Sequence, residues 1–288
     1  MIYKGESMHR YQSVFVSVGL ALGVFVAGAS GQMLTANAQS QMFDLLDDFF
    51  RLDVDNRTGA SSDGLVAGTW FSVAPPNVGG VTTARAAVGF GYFGGVARVQ
   101  GYANVQGSVT SSAGGTFTDT VVINAPGMQG QMGTRTALLS FVTQSGVSGF
   151  DDGGSNVSAF ASVTVQVSNA SVSYGGDWTL QKAYSEFPID VVELEFDFVY
   201  GTPFTVSGSM GLFAVISSDG GSAQGIAQAA FPGSIHWLGI SDLAADETVD
   251  GSIDWSKAAP IIPAPSAVWL GACLALPFAR RRRCTTDA

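Results

Sequence analysis

The chain has 288 residues, 46% of them hydrophobic and only 12% charged, with a formal net charge of −10. Between residues 32 and 260 it carries 7 basic against 21 acidic residues, a net of −14, and such a field repels nucleic acid and anionic lipid. Cys273, Cys284 and His9 all lie outside that stretch, which leaves it His236 alone and excludes disulfides, thiol chemistry and Cys/His or multi-histidine metal sites from it.

The first 31 residues read as a secretory signal. Met8-His9-Arg10 is a small basic region, and residues 14–26 are apolar apart from Ser17. Ala27-Gly28-Ala29, Ala29-Ser30-Gly31 and Ala36-Asn37-Ala38 are three small-residue cleavage options. Residues 32–259 are long enough for one β domain with its own core.

Met42, Leu45, Leu46, Phe49 and Phe50 then recur at three- and four-residue spacing, with Asp44, Asp47, Asp48 and Arg51 between them. That spacing predicts a short amphipathic helix. Everything after it has a β signature: most of the chain's 37 glycines, few prolines and long alternations of Val, Thr, Ser and Ala. Strands are expected over 68–73, 85–93, 96–109, 117–124, 136–143, 158–168, 191–199, 204–217, 223–231 and 235–240. Turns are expected at Pro75-Pro76-Asn77, Ser112-Ala113-Gly114-Gly115, Asp151-Asp152-Gly153-Gly154 and Asp219-Gly220-Gly221. Residues 191–199 are the clearest case, with Val192, Leu194, Phe196 and Phe198 on one face and Val191, Glu193, Glu195, Asp197 and Val199 on the other. About ten strands, short turns and no repeat of fixed period lead to an all-β antiparallel two-sheet sandwich, jelly-roll-like or immunoglobulin-like.

Candidate chemistry is sparse. Gly89-Phe90-Gly91-Tyr92-Phe93-Gly94 spells a dinucleotide fingerprint, but Gly95-Val96-Ala97-Arg98-Val99 after it is strand-like, where the chemistry needs a helix N-terminus. Glu193, Glu195 and Asp197 recur about 6.6 Å apart along one strand face. They read as a solvated acidic face, with calcium or polymer contact and glycosidase-type catalysis as further readings. Asp151, Asp152, Ser155 and Asn156 form an oxygen-rich loop. Asp53, Asp55 and Asn56 form a second, and Asp246, Glu247, Asp250 and Asp254 a third. Calcium accepts such oxygen ligands, and Asp151, Asp152 and Asn156 are the first candidates for it, though none of the loops has the EF-hand spacing. His236 lies in a strand pattern beside Trp237, with no Gly-x-Ser-x-Gly elbow to accompany it. Trp70, Trp178, Trp237 and Trp255 suit either a core or sugar stacking. Asn56, Asn156 and Asn169 open glycosylation triplets.

The tail, residues 260–288, is the most telling segment. Ile261-Ile262-Pro263-Ala264-Pro265-Ser266 breaks the pattern. An apolar run to Ala279, interrupted by Pro277, precedes Arg280, Arg281, Arg282 and Arg283. Sixteen residues from Ala264 to Ala279 fall short of the roughly 20 that a spanning helix needs. The arginines favour the cytoplasmic side.

Pro263, Ala264, Pro265, the apolar run and Arg280, Arg281, Arg282 and Arg283 together resemble the bacterial PEP-CTERM sorting signal, with Ala264 standing where that family usually carries Glu. The body resembles the β-rich domains of the same family at Phe117-Thr118-Asp119-Thr120-Val121 and from Gly201-Thr202-Pro203-Phe204 to Ser234-Ile235-His236-Trp237-Leu238-Gly239-Ile240. The resemblance implies processing by an exosortase-like enzyme, a transient membrane anchor, and a cell-surface or extracellular-matrix location. It supplies no catalytic residue. The expected function is therefore a non-enzymatic surface or matrix protein, with a carbohydrate- or calcium-binding module as the alternative and a glycan-active hydrolase as a remote one.

Overall fold

A computed structural model describes residues 32–44, 49–60, 64–73, 77–142, 145–151, 155–180, 183–185 and 191–260. The signal segment and the tail, including Pro263, Ala264, Pro265 and the four arginines, lie outside the described residues. Those described contain no helix. Thirteen strands follow in order: β1 (Met33–Asp44), β2 (Phe49–Gly59), β3 (Leu65–Val73), β4 (Val78–Gly89), β5 (Tyr92–Asn124), β6 (Met132–Phe141), β7 (Gly146–Asp151), β8 (Ser155–Val167), β9 (Ala170–Thr179), β10 (Ala183–Ser185), β11 (Val191–Val199), β12 (Phe204–Ser241) and β13 (Thr248–Asp250). Every pairing is antiparallel, and the ladders join the strands into one large sheet.

Two very long strands organise that sheet. β5 and β12 pair from Phe204↔Val121 to His236↔Tyr92, with register shifts between Asp219 and Ser222 and between Phe231 and Ile235. Their two halves serve different neighbours. Residues 107–118 of β5 pair with β1, and residues 206–218 of β12 pair with β8, giving a first arm that runs from β10 to β2. Residues 92–103 of β5 pair with β4, and residues 223–228 of β12 pair with β7, giving a second arm from β3 to β7.

The arms touch through their inward faces. The Ser111 hydroxyl donates to the Thr83 carbonyl at 2.7 Å and accepts from the Arg98 N–H at 3.2 Å, so β5 returns against itself within thirteen residues. Ser40 and Thr69 share a buried hydrogen bond of 2.9 Å between β1 and β3. Between the arms lies a core of alternating small and large side chains, among them Ala36, Ala84, Ala113, Phe71, Phe93 and Phe117. Fully burying each of the large ones contributes about 1.5–3 kcal/mol.

Three expectations need correcting. At the described positions of the helix expected over residues 42–51 the chain is extended: Met42, Phe43 and Asp44 close β1 and pair with Arg51, Phe50 and Phe49 at the start of β2. The helical spacing arose from residues on both sides of a strand pair. Burial of Met42 and the Arg51 guanidinium 4.9 Å from the Phe71 ring centre hold the extended form. Leu45, Leu46, Asp47 and Asp48 lie outside the described residues. Second, Ser112-Ala113-Gly114-Gly115 is no turn but the middle of β5. A Cβ on Gly115 would sit 2.3 Å from the Thr35 carbonyl oxygen and 2.4 Å from Val88 Cγ2, so the glycine permits close approach of the two arms. Third, Asp219-Gly220-Gly221 is an irregularity inside β12, not a reversal of the chain.

Candidate functional site

The densest polar chemistry of the body fastens residues 242–260 onto the sheet. Asp119 lies on β5 in phase with Phe117 and Val121, so its carboxylate points inward and is fully buried. One carboxylate oxygen, Oδ2, accepts from Trp255 Nε1 at 2.7 Å and from the Ser252 N–H at 2.8 Å. The other, Oδ1, accepts from the Ser252 hydroxyl and from the Thr120 N–H, both at 2.8 Å. Four donors on one carboxylate answer the desolvation of a buried charge. Trp255 is itself fully buried and stands edge-on to Trp237, ring centres 4.9 Å apart, while Trp237 Nε1 donates to the Trp255 carbonyl at 2.8 Å.

A second fastening lies at Glu247, whose side chain is 2% exposed. Its carboxylate accepts from the Arg135 guanidinium on β6, from the Tyr200 hydroxyl, and from the Ala244 N–H at 2.9 Å. Burial raises the Glu247 carboxyl, but the bonds from Tyr200, Arg135 and Ala244 outweigh it and hold the group below its ordinary value. The same bond to Glu247, with burial added, raises the Tyr200 phenol. A third tie runs through residues 236–259: His236 Nε2 lies 2.5 Å from the Ala259 carbonyl oxygen, and the Ala259 N–H donates to the Trp237 carbonyl at 2.9 Å.

The acidic groups singled out in the sequence do not converge. Glu193 and Glu195 stand exposed on β11, whose alternation of faces follows the expected pattern. Asp197 accepts from Thr134 Oγ1 at 2.7 Å and from the Asn169 side chain at 3.4 Å. Asp55 is held below its ordinary value by Arg57 and then by the Gly68 N–H, which ties β2 to β3. Asp250 takes the Asn124 amide at 2.9 Å, and Asp254 takes Lys257 Nζ at 2.6 Å, so with Glu247 three acids of the third loop serve separate partners. Asp151 ends β7, Asp152 lies outside the described residues, and the Asn156 amide donates to Ser158 Oγ at 3.1 Å. Among the described residues no group of three or more His, Cys, Asp or Glu is placed to hold a metal ion.

The glycine fingerprint is the β4–β5 hairpin. Gly89 pairs with Tyr92, Phe90 and Gly91 form the turn, and Gly91 has φ +70°. A Cβ there would also meet Trp237 Cβ at 2.8 Å. Of the four tryptophans among the described residues, Trp178, Trp237 and Trp255 are core, and Trp70 is 54% exposed. Reading the sequence missed Asp119 as a functional group, although its signal was present: an acid at an inward position of an alternating strand.

No family model matches the chain, and neither curated proteins nor solved structures match it.

Proposed function

We propose that this is an exported, non-enzymatic surface or matrix protein, sorted through its C-terminal tail. The observation that carries the reading is the fastening of residues 242–260. Asp119, Glu247 and the Trp237–Trp255 pair tie down the last stretch before the tail, and Ala259 is buried one residue before the chain leaves the described body. A body attached through its C-terminus needs that attachment to hold while the rest meets its surroundings. The groups most suited to chemistry are instead spent on this tie. The two arms act in this reading as the facing sheets of a sandwich, joined through bent β5 and β12.

Deleting residues 261–288 tests it. The protein should move from the surface or matrix fraction to a freely soluble or retained pool, and an unchanged distribution would remove the sorting claim. A carbohydrate-binding version is favoured by one observation: Trp70 and Phe150 are 54% and 57% exposed on one outward face.

A further inference from the structure

The outward face of the second arm differs from the rest of the molecule. Trp70, Thr83, Arg98 and Gln228 are successive cross-strand partners on β3, β4, β5 and β12, a row of about 14 Å at the usual interstrand spacing. A second row, Tyr102, Gln224 and Phe150, lies four residues further along β5 and spans about 10 Å. Arg85 flanks the first row, two residues along β4 from Thr83. The alternation of burial puts all of these side chains outward, opposite Ala84, Ala97, Val99 and Ala227, which are buried.

Acidic residues are scarce on the described strands of this face. β3, β4, residues 92–106 of β5 and residues 220–241 of β12 contain neither Asp nor Glu. The one acid of β7, Asp151, ends that strand opposite Ala223, and the Asp55 carboxylate reaches the rim of the arm at the Gly68 N–H of β3. In a body of net charge −14, the strands of this face hold two of the seven basic residues, Arg85 and Arg98, against one acid at the end of β7.

We infer that this face binds an extended anionic polysaccharide. Flat aromatic rings cover sugar rings with little loss of conformational freedom, and their apolar faces match the C–H faces of a sugar. Side-chain amides in the rows supply paired donors and acceptors for hydroxyls. A planar guanidinium pairs with a uronate carboxylate through two parallel N–H bonds, which a neutral glycan cannot return. An open flat face, not a pocket, suits a long chain that touches successive strands. The acidic remainder of the body repels the same polymer and so confines it to this face. The inference takes its extracellular setting from the proposed function, but the binding itself does not depend on sorting.

The test is binding of the full-length protein to polygalacturonate by calorimetry, with dextran as the neutral comparator and single-stranded poly(dT) as the other polyanion. The wild type should bind polygalacturonate in preference to both, and more weakly as salt rises. Trp70→Ala and Arg98→Gln should each raise Kd about tenfold, which is ~1.4 kcal/mol. Trp70→Phe should keep most of the affinity. Phe160→Ala, at a side chain 44% exposed on the first arm, should change nothing. Trp70 and Arg98 lie on the surface, and an unchanged melting temperature confirms that each variant is folded. No binding by the wild type, unaltered Kd in Trp70→Ala or Arg98→Gln, equal affinity for dextran, or equal affinity for poly(dT) would each overturn the inference. Lost sorting on deletion of the tail would leave this binding intact. Lost binding in the face variants with sorting intact would leave the export reading standing.

Discussion

Replacing Asp119 by Asn isolates the main fastening at almost constant volume. Each carboxylate oxygen now takes two donors, so the new NH2 group must face at least one of them. Turned toward Trp255 Nε1 and the Ser252 N–H, it opposes two fixed donors. Turned the other way, it can donate to the Ser252 hydroxyl, which rotates to accept, and only the Thr120 N–H loses its partner. That second arrangement costs about 1–3 kcal/mol for the orphaned donor, and the surviving bonds weaken as the charge is lost. Removing the charge also relieves its desolvation, so the net effect comes to about 2 kcal/mol. If the loss falls on residues 242–260 alone, their opening becomes about thirtyfold more frequent, at 1.36 kcal/mol per decade. Trypsin cleavage after Lys257, an exposed residue inside the fastened stretch, reads that opening directly. Urea unfolding followed by tryptophan fluorescence gives the global value. An Asp119→Asn protein within 0.5 kcal/mol of wild type and no more sensitive at Lys257 would refute this account of the clasp.

Three further outcomes follow from the same geometry. Glu247→Gln leaves the Arg135 guanidinium without its carboxylate and should cost about 3 kcal/mol in urea unfolding. Because the folded Glu247 carboxyl lies below its ordinary value of 4.5, its stabilisation is present above that pH and fades as pH falls through the folded value. Wild-type stability should therefore drop below pH 4.5 by more than that of Glu247→Gln, and parallel curves would contradict the assignment. Trp255→Phe removes one of the four donors to Asp119 together with part of the Trp237 contact. It should lower the melting temperature and increase cleavage at Lys257, whereas wild-type behaviour would place the clasp elsewhere. Gly115→Ala forces a Cβ against the Thr35 carbonyl and Val88, and should cost about 2–3 kcal/mol; a neutral effect would show that the arms approach less closely.

The all-β class and several strands were legible because period-two patterning survives wherever one face is buried, as over Val191–Val199. Strand ends were less legible. Ser112–Gly115 has turn composition, yet its small residues serve the close approach of two arms, a contact between residues that the local pattern does not see. The helix expected over 42–51 failed for a related reason: Met42 and Phe50 belong to opposite strands of one pair, and pairing outweighs spacing. The acidic loops drew attention because oxygen ligands cluster there by sequence, but the structure sends Asp55, Glu247, Asp250 and Asp254 to separate partners. Asp119 escaped notice because it stands alone in the sequence; its donors come from residues 252 and 255, far along the chain. The outward face of the second arm was also hidden, since Trp70, Arg98 and Phe150 meet only through strand register.

Terminal mass spectrometry of the protein recovered from outside the producing cells tests the central claim most directly. The account predicts an N-terminus between residues 27 and 33, which leaves β1 whole, and a C-terminus between residues 260 and 279, with residues 242–260 retained and the four arginines gone. Recovery of the intact chain from the cytoplasm, with residues 1–31 and 280–283 still attached and none outside, would contradict it.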